Sequence, residues 1–441
     1  MRLKKYIDKV QHVFQARTHN KHENAFYYVK GLFQGRKRNM ERMVERVVDS
    51  EYYRMQHFIS ESPWDARTGF DSVARDTSKV FESFDQVALL IDESSHTKKG
   101  RYSVGVSRQY CGNTGKVDNC QVAVYGALSA ENRYGLIDAA LYLPESWTTS
   151  PERCIAAGIP EGKIEHKTKI ELAYEIVSRQ VKQDTRFDYV GADGLYGNSY
   201  WFQRELNKLK VLFVLDVHRD QYIYTKPPRV YLPEKKGKMG RKPSRYKIEG
   251  TPVTVEDLRP KDQSPKWKRI RLRQTGKGDL VCWGYVRKVY IWDGESPDYE
   301  IRKLIFRATE TSSGTWEYKY ALSNANSKKY TTEVLVRMQS QRYFVERSFQ
   351  DAKQEAGMSE YQVRGWRAWH HHMALVMMAQ HYVLSEKIRY NEEYPLLSAY
   401  DIREIIMMTY ATKGADTSET IAQMRYRHRQ RAIRDVGSDS S

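Results

Sequence analysis

Three carboxylates in this 441-residue chain stand where they could hold cations: Asp92, Asp193 and Glu346. Cleavage of a phosphodiester by water needs an activated nucleophile and a stabilised 3′-oxygen, and two divalent ions about 3.5–4 Å apart supply both. Such ions take hard oxygen ligands, so Asp and Glu side chains from distant segments must meet. Asp92 closes the apolar run VALLID and precedes the polar stretch ESSHTKKG. Asp193 closes YVGAD and lies in GADGLYG, where Gly191, Gly194 and Gly197 would let the chain turn sharply beside a ligand. A carboxylate at a strand end is equally a common surface or capping position. Asp216, closing VLFVLD, is the rival to Asp193 and lacks the glycine-rich setting.

Glu346 stands in QSQRYFVERSFQDAKQEAGM. At about 100° per residue, Arg342, Glu346 and Lys353 fall within about 40° of one line along a helix. That row reads as an i,i+4 salt-bridge ladder, or as a metal ligand flanked by two cations that hold phosphates. Alongside the other acids, the second reading fits better. Lys98 and Lys99 follow Asp92 closely enough to reach the same strand of a nucleic acid. His370, His371 and His372 are consecutive, so on a helix they point in different directions and read as packing and surface residues, not as a metal site.

These residues need elements to position them. Residues 1–80 read as a helical unit: Met40, Met43, Val44, Val47 and Val48 form an amphipathic stripe beside the basic cluster Arg36, Lys37, Arg38, Arg42 and Arg46, which suits DNA binding or equally a solvated charged face. From 81 to 216 the pattern is strand-rich. Val87–Ile91 leads to Asp92, and Gln121–Ser129 with Tyr134–Leu143 reads as a hairpin. A helix over Lys169–Lys182 and strands at Tyr189–Ala192 and Val211–Leu215 follow. Residues 217–327 interrupt this core. Seven prolines from Pro227 to Pro265 exclude long helices there, and alternation near 270, 281–289 and 317–322 predicts strands. Between Lys226 and Lys247 nine basic residues, among them Lys235, Lys236, Arg241 and Lys242, face one acid, a density that favours phosphate contacts. Residues 328–390 return to helix and carry Glu346, and 391–441 give a last helix and a basic tail.

Composition narrows the class. Lys and Arg number 73 against 55 Asp and Glu, a net charge of +18, which points to a polyanionic partner. The four cysteines show no zinc-type spacing and read as reduced thiols. No apolar run is long enough to span a membrane, and the basic start lacks the apolar region of a secretory signal. The expectation is a cytoplasmic, nucleoid-associated bacterial protein.

The 342–353 stretch resembles the Y-x2-R-x3-E-x6-K signature of cut-and-paste insertion-sequence transposases of the DDE type with a β insertion in the catalytic core. Arg342, Glu346 and Lys353 match its last three positions, and Gln339 replaces the tyrosine. VGADGLYGNSYWFQREL is similar to the segment of the second aspartate, and LLIDESSHTKKGRYSVGVSRQYCGNTGKVDNCQVAV to that of the first. The resemblance implies an α/β, ribonuclease-H-like core interrupted by a mostly β insertion, with helical N- and C-terminal regions. It implies two Mg²⁺ ions, with Mn²⁺ as a substitute, held by Asp92, Asp193 and Glu346. The partners it implies are double-stranded DNA, as element ends and target, and a second copy of the chain in a paired-end complex. Some members of the family flip a base onto an insertion-domain tryptophan; Trp283, Trp292 and Trp316 are the candidates, against the ordinary role of packed strand tryptophans. The alternatives to an active transposase are an inactive DNA-binding derivative and a ribonuclease-H-like nuclease without strand transfer.

Overall fold

The computed structural model describes residues 2–16, 19–35, 37–234, 241–262, 264–275, 278–311, 313–326 and 328–413, with scattered positions beyond. Arg36, Lys235, Lys236 and most of the basic tail lie outside the described residues.

Helices α1 (Arg2–Lys9), α2 (His22–Gln34), α3 (Met40–Val44), α4 (Tyr52–Ser60) and α5 (Ala66–Val80) build the front of the chain. The stripe expected to form one helix from Met40 to Val48 is broken. Asn39 caps α3, which stops at Val44; Val47 leaves the helix to bridge Thr412, and Asp49 takes a positive φ of 63°. Val47 stays buried, so the apolar spacing reports burial but not helix length. Arg38 is also not a free DNA-facing cation. Its buried guanidinium pairs with Glu360 and donates to the Leu32 and Gln354 carbonyls, tying the front helices to the far end of the chain.

The centre is a ten-stranded mixed sheet. Its strands are β1 (Ala88–Thr97), β2 (Ser107–Cys111), β3 (Lys116–Ala130), β4 (Arg133–Leu141), β5 (Tyr189–Ala192), β6 (Phe213–Val217), β7 (Lys268–Thr275), β8 (Gly278–Ile291), β9 (Glu300–Glu310) and β10 (Trp316–Ser323). The order is β7-β8-β9-β10-β6-β5-β1-β3-β2, with β4 paired to β3. β5 runs parallel to β1 and to β6, and the remaining pairs are antiparallel. The hairpin of β3 and β4 turns at Glu131 and Asn132, as the spacing predicts, and β5 falls where the sequence places it. After 217, Tyr222–Ile223 with Val253–Thr254 and Arg229–Tyr231 with Lys247–Glu249 form two small two-stranded sheets, whereas β7 to β10 continue the central sheet, β10 pairing with β6 with Ala321 opposite Asp216.

Helix α6 (Lys169–Lys182) starts at a capping box of Thr168 and Glu171 and covers one face of the sheet, with Ile176 against Gly126. A one-turn helix α7 (Gly194–Gly197) and α8 (Tyr200–Lys208) follow β5. Helices α9 (Thr332–Gln341) and α10 (Tyr343–Glu355) pack beside the sheet, and α11 (Trp366–Arg389) is buried around most of its circumference. Helix α12 (Ala399–Thr409) completes the described chain. An all-round apolar helix of that length is a core helix, and no described helix is long and apolar enough to cross a membrane.

Candidate active site

Asp92 sits in the middle of β1, not at its end as its sequence context implied. β3 pairs with β1 through Thr97, so the polar residues after Asp92 continue the ladder instead of turning. Register places Ile91 of β1 beside Ala192 of β5, so Asp92 and Asp193 leave neighbouring parallel strands at the same level. Asp193 ends β5 and caps α7, accepting from the Leu195 amide at 3.0 Å. Burial pushes Asp92 up to about 8, and the adjacent Asp193 charge adds to that while Arg342 opposes it. Asp193 is raised by burial and then by Glu93. Glu93, which the sequence reading passed over, accepts from Tyr196 at 2.8 Å and from Lys169 at 3.0 Å.

The glycines of GADGLYG serve close approach and not the sharp turn expected of them. None of Gly191, Gly194 and Gly197 has a positive φ. A Cβ on Gly197 would lie 1.8 Å from the Asp216 carbonyl oxygen, and one on Gly194 would strike the His218 ring. They let the Asp193 turn pack flat on the end of β6 and on His218 just after it.

Arg342 lies at the junction of α9 and α10 and links the carboxylates. Its Nε donates to Asp216 at 2.9 Å, its Nη2 to Glu346 at 2.9 Å, and its Nη1 stands 3.6 Å from Asp92. Burial acts to lower its pKa, but the charges of Asp216, Glu346, Asp92 and Asp193 outweigh it and raise it. Gln339, at the position where a tyrosine was expected, donates to Asp216 at 3.0 Å. Asp216 is thus the anchor of Arg342, a role that a sequence separation of more than a hundred residues hides. Glu346 projects from α10 with half its side chain exposed. Lys353, two turns on, is half-buried with a lowered pKa caused first by burial, and among the described residues it has no carboxylate partner.

Among the described residues no three His, Cys, Asp or Glu side chains are grouped closely enough to hold a metal ion. Asp92 and Asp193 fit a cation in kind, being adjacent half-buried oxygen donors whose raised pKa values reflect desolvation and like charge. Glu346 would have to turn away from Arg342 to join them.

The other expected contacts scatter. Lys98 lies six residues along the chain from Asp92, roughly 20 Å in an extended strand. Its amine donates to the Tyr361 carbonyl at 3.1 Å and covers the Tyr361 ring, with burial holding it down to about 7. Lys99 is exposed and lines a cleft together with Lys98 and Tyr361, and Arg241 and Lys242 are solvent-facing. Trp283 and Trp316 meet edge to face at 4.8 Å, and Trp292 donates to the Ser296 carbonyl. By strand alternation Trp283 faces away from Cys282 and Gly284, whose side of β8 meets α9. His370, His371 and His372 are packing residues, held by burial down to about 4, 4 and 3.

Residues 10–279 match the family of DDE superfamily endonucleases. A probable transposase for insertion sequence element IS701 of Microchaete diplosiphon is 28% identical over 174 residues, 39% of this chain. The match spans 42% of that relative's length. Among solved structures, a piggyBac transposase synaptic complex with hairpin DNA aligns over 98% of this chain and 80% of that one, at 13% identity and a TM-score of 0.38. With more than half of its length matched by the family, the chain belongs to the DDE superfamily endonucleases.

Proposed function

We propose that this chain is a DNA transposase that binds the terminal inverted repeats of an insertion sequence, cuts the DNA and joins the 3′ ends to target DNA. The observation that carries the reading is the convergence of Asp92 and Asp193 on neighbouring parallel strands with Arg342, which reaches both Asp92 and Glu346. The core strands in the order β4-β3-β1-β5-β6, three antiparallel and then two parallel, support a ribonuclease-H-like core.

Asp92 and Asp193, completed by Glu346, would hold Mg²⁺, with Mn²⁺ as a substitute; when bound, two such ions activate water and stabilise the leaving 3′-oxygen. Asp216 and Gln339 hold Arg342 in place, so that once Glu346 turns to its ligand role the guanidinium faces a DNA phosphate. Lys353 is a second phosphate contact on the same helix face. Arg241, Lys242 and Lys99 extend the contact along the duplex, and Trp283, Trp292 and Trp316 remain the candidates to receive a flipped base. Two copies of the chain pair two element ends.

The test is to incubate purified chain and Mg²⁺ with labelled duplex carrying the inverted repeats that flank its gene. Nicking at the repeat boundary followed by strand transfer is the expected result. Nicking without transfer would favour a nuclease, and binding without nicking an inactive derivative.

A further inference from the structure

A second group of cations stands beside α10 without a carboxylate partner among the described residues. In β7 the register with β8 shifts between Arg271 and Arg273, where Leu272 is the extra residue of a bulge. Without the bulge Arg273 would share a face with Arg271; with it, Arg273 turns to the face of Ile270 and Cys282. That face meets α9, Gly284 lying against Val336. Arg307 pairs with Gly284 across β8 and β9 and so projects from the same face.

The two arginines are treated differently from their neighbours. Arg271 pairs with Asp279 at 2.9 Å and Lys268 reaches Glu333 at 3.6 Å, whereas neither Arg273 nor Arg307 has a carboxylate partner among the described residues. The Nε of Arg307 is buried and makes no hydrogen bond there. The Arg273 guanidinium lies over the rings of Tyr343, at 4.8 Å, and Phe344, at 4.9 Å, the first residues of α10. Burial lowers the Arg273 pKa; Tyr343 opposes that and the Arg307 charge adds to it. Two half-buried guanidinium groups of one face whose charges oppose each other carry a repulsion and a desolvation cost that a bound anion would relieve.

We infer that Arg273 and Arg307 form a binding site for a phosphate of the DNA backbone, with Tyr343 as its aromatic wall. This inference rests on the proposed function. Tyr343 precedes Glu346 by three residues, about 4.5 Å along the helix, so the bound phosphate belongs to a nucleotide within a few steps of the cut. Arginine forks suit such an oxyanion, and phosphate contacts fix register without reading sequence.

The experiment measures duplex affinity against salt for the full chain, with DNA bearing the flanking repeats. Each lost phosphate contact lowers the slope of log K against log salt by about 0.9. For R273Q/R307Q the expected result is a slope smaller by about 0.9 and a roughly ten-fold weaker affinity at low salt. R273K/R307K keeps most of the slope, and R271Q, on the opposite face of the same strand, leaves it near wild type. Neutral methylphosphonates placed one at a time within a few nucleotides of the cut should weaken wild type at a position where R273Q/R307Q is no longer affected. An unchanged slope in R273Q/R307Q, or the same drop in R271Q, overturns the inference. Cleavage by wild type alongside an unchanged variant slope sinks this inference alone, while a wild type that binds no duplex removes the functional reading with it.

Discussion

Arg342 touches carboxylates from β1, β6 and α10, so the site's response to substitution depends on which partner is removed. Asp216→Asn releases the Nε anchor and leaves the guanidinium to Glu346 and Asp92. We expect a loss of about 2–3 kcal/mol, below the 3–5 of a fully buried pair because both side chains are 17% exposed, read by urea denaturation. Cleavage should fall less than for loss of Asp92. Gly197→Ala drives a Cβ into the Asp216 carbonyl, and we expect a melting temperature lower by several degrees together with loss of cleavage. The row of Arg342, Glu346 and Lys353 was legible from helical spacing alone. Asp216 was not, because its contact with Arg342 spans distant segments; it was visible only as a rival to Asp193. The mid-strand position of Asp92 was also hidden, since SSHT looks like a turn until β3 pairs with it.

At the scale of elements, Asp138 joins three of them. It is fully buried on β4 and accepts from Arg67 of α5 at 2.7 Å and from Arg179 of α6 at 2.9 Å. Burial would raise its pKa, but the two arginines overcome that and lower it. Asp138→Ala takes the carboxylate from Arg179 and leaves Arg67 with Asp71 alone, and we expect a loss of about 3–5 kcal/mol in denaturant melts. Lys98 sets a pH dependence of the same sign in a higher window. Folded, it sits at about 7 against an ordinary 10.5, so between those values the unfolded chain binds a proton that the folded chain has lost. Its contribution makes stability rise with pH over that window, by up to about 1.4 kcal/mol per unit. Melts between pH 7 and 9 should show a flatter rise in Lys98→Met than in wild type. Element types were legible where periodicity was strong, as in α6, β5 and the β3–β4 hairpin. The break after α3 was not, because a tertiary bridge from Val47 to Thr412 competes with continuing the helix. Alternation found strands after 217, but only long-range pairing of β10 with β6 shows that they extend the central sheet.

Across the whole molecule, a net charge of +18 predicts strong, salt-sensitive association with nucleic acid, and composition alone made that legible. Charge does not say which cations serve it. Arg38 and Arg67 are spent on internal carboxylates, whereas Lys353, Arg273 and Arg307 have none among the described residues. We hold that Asp92, Asp193 and Glu346 act together on a phosphodiester beside the end of β5. The most direct measurement compares wild type with Asp92→Asn, Asp193→Asn and Glu346→Gln on duplex carrying the flanking repeats, with Mg²⁺, scoring binding and cleavage separately. We predict that each substitution lowers cleavage by about a thousand-fold or more, the scale of losing a metal's contribution of several kcal/mol, while duplex affinity stays within a few-fold of wild type. Cleavage that survives any one of the three would contradict the account.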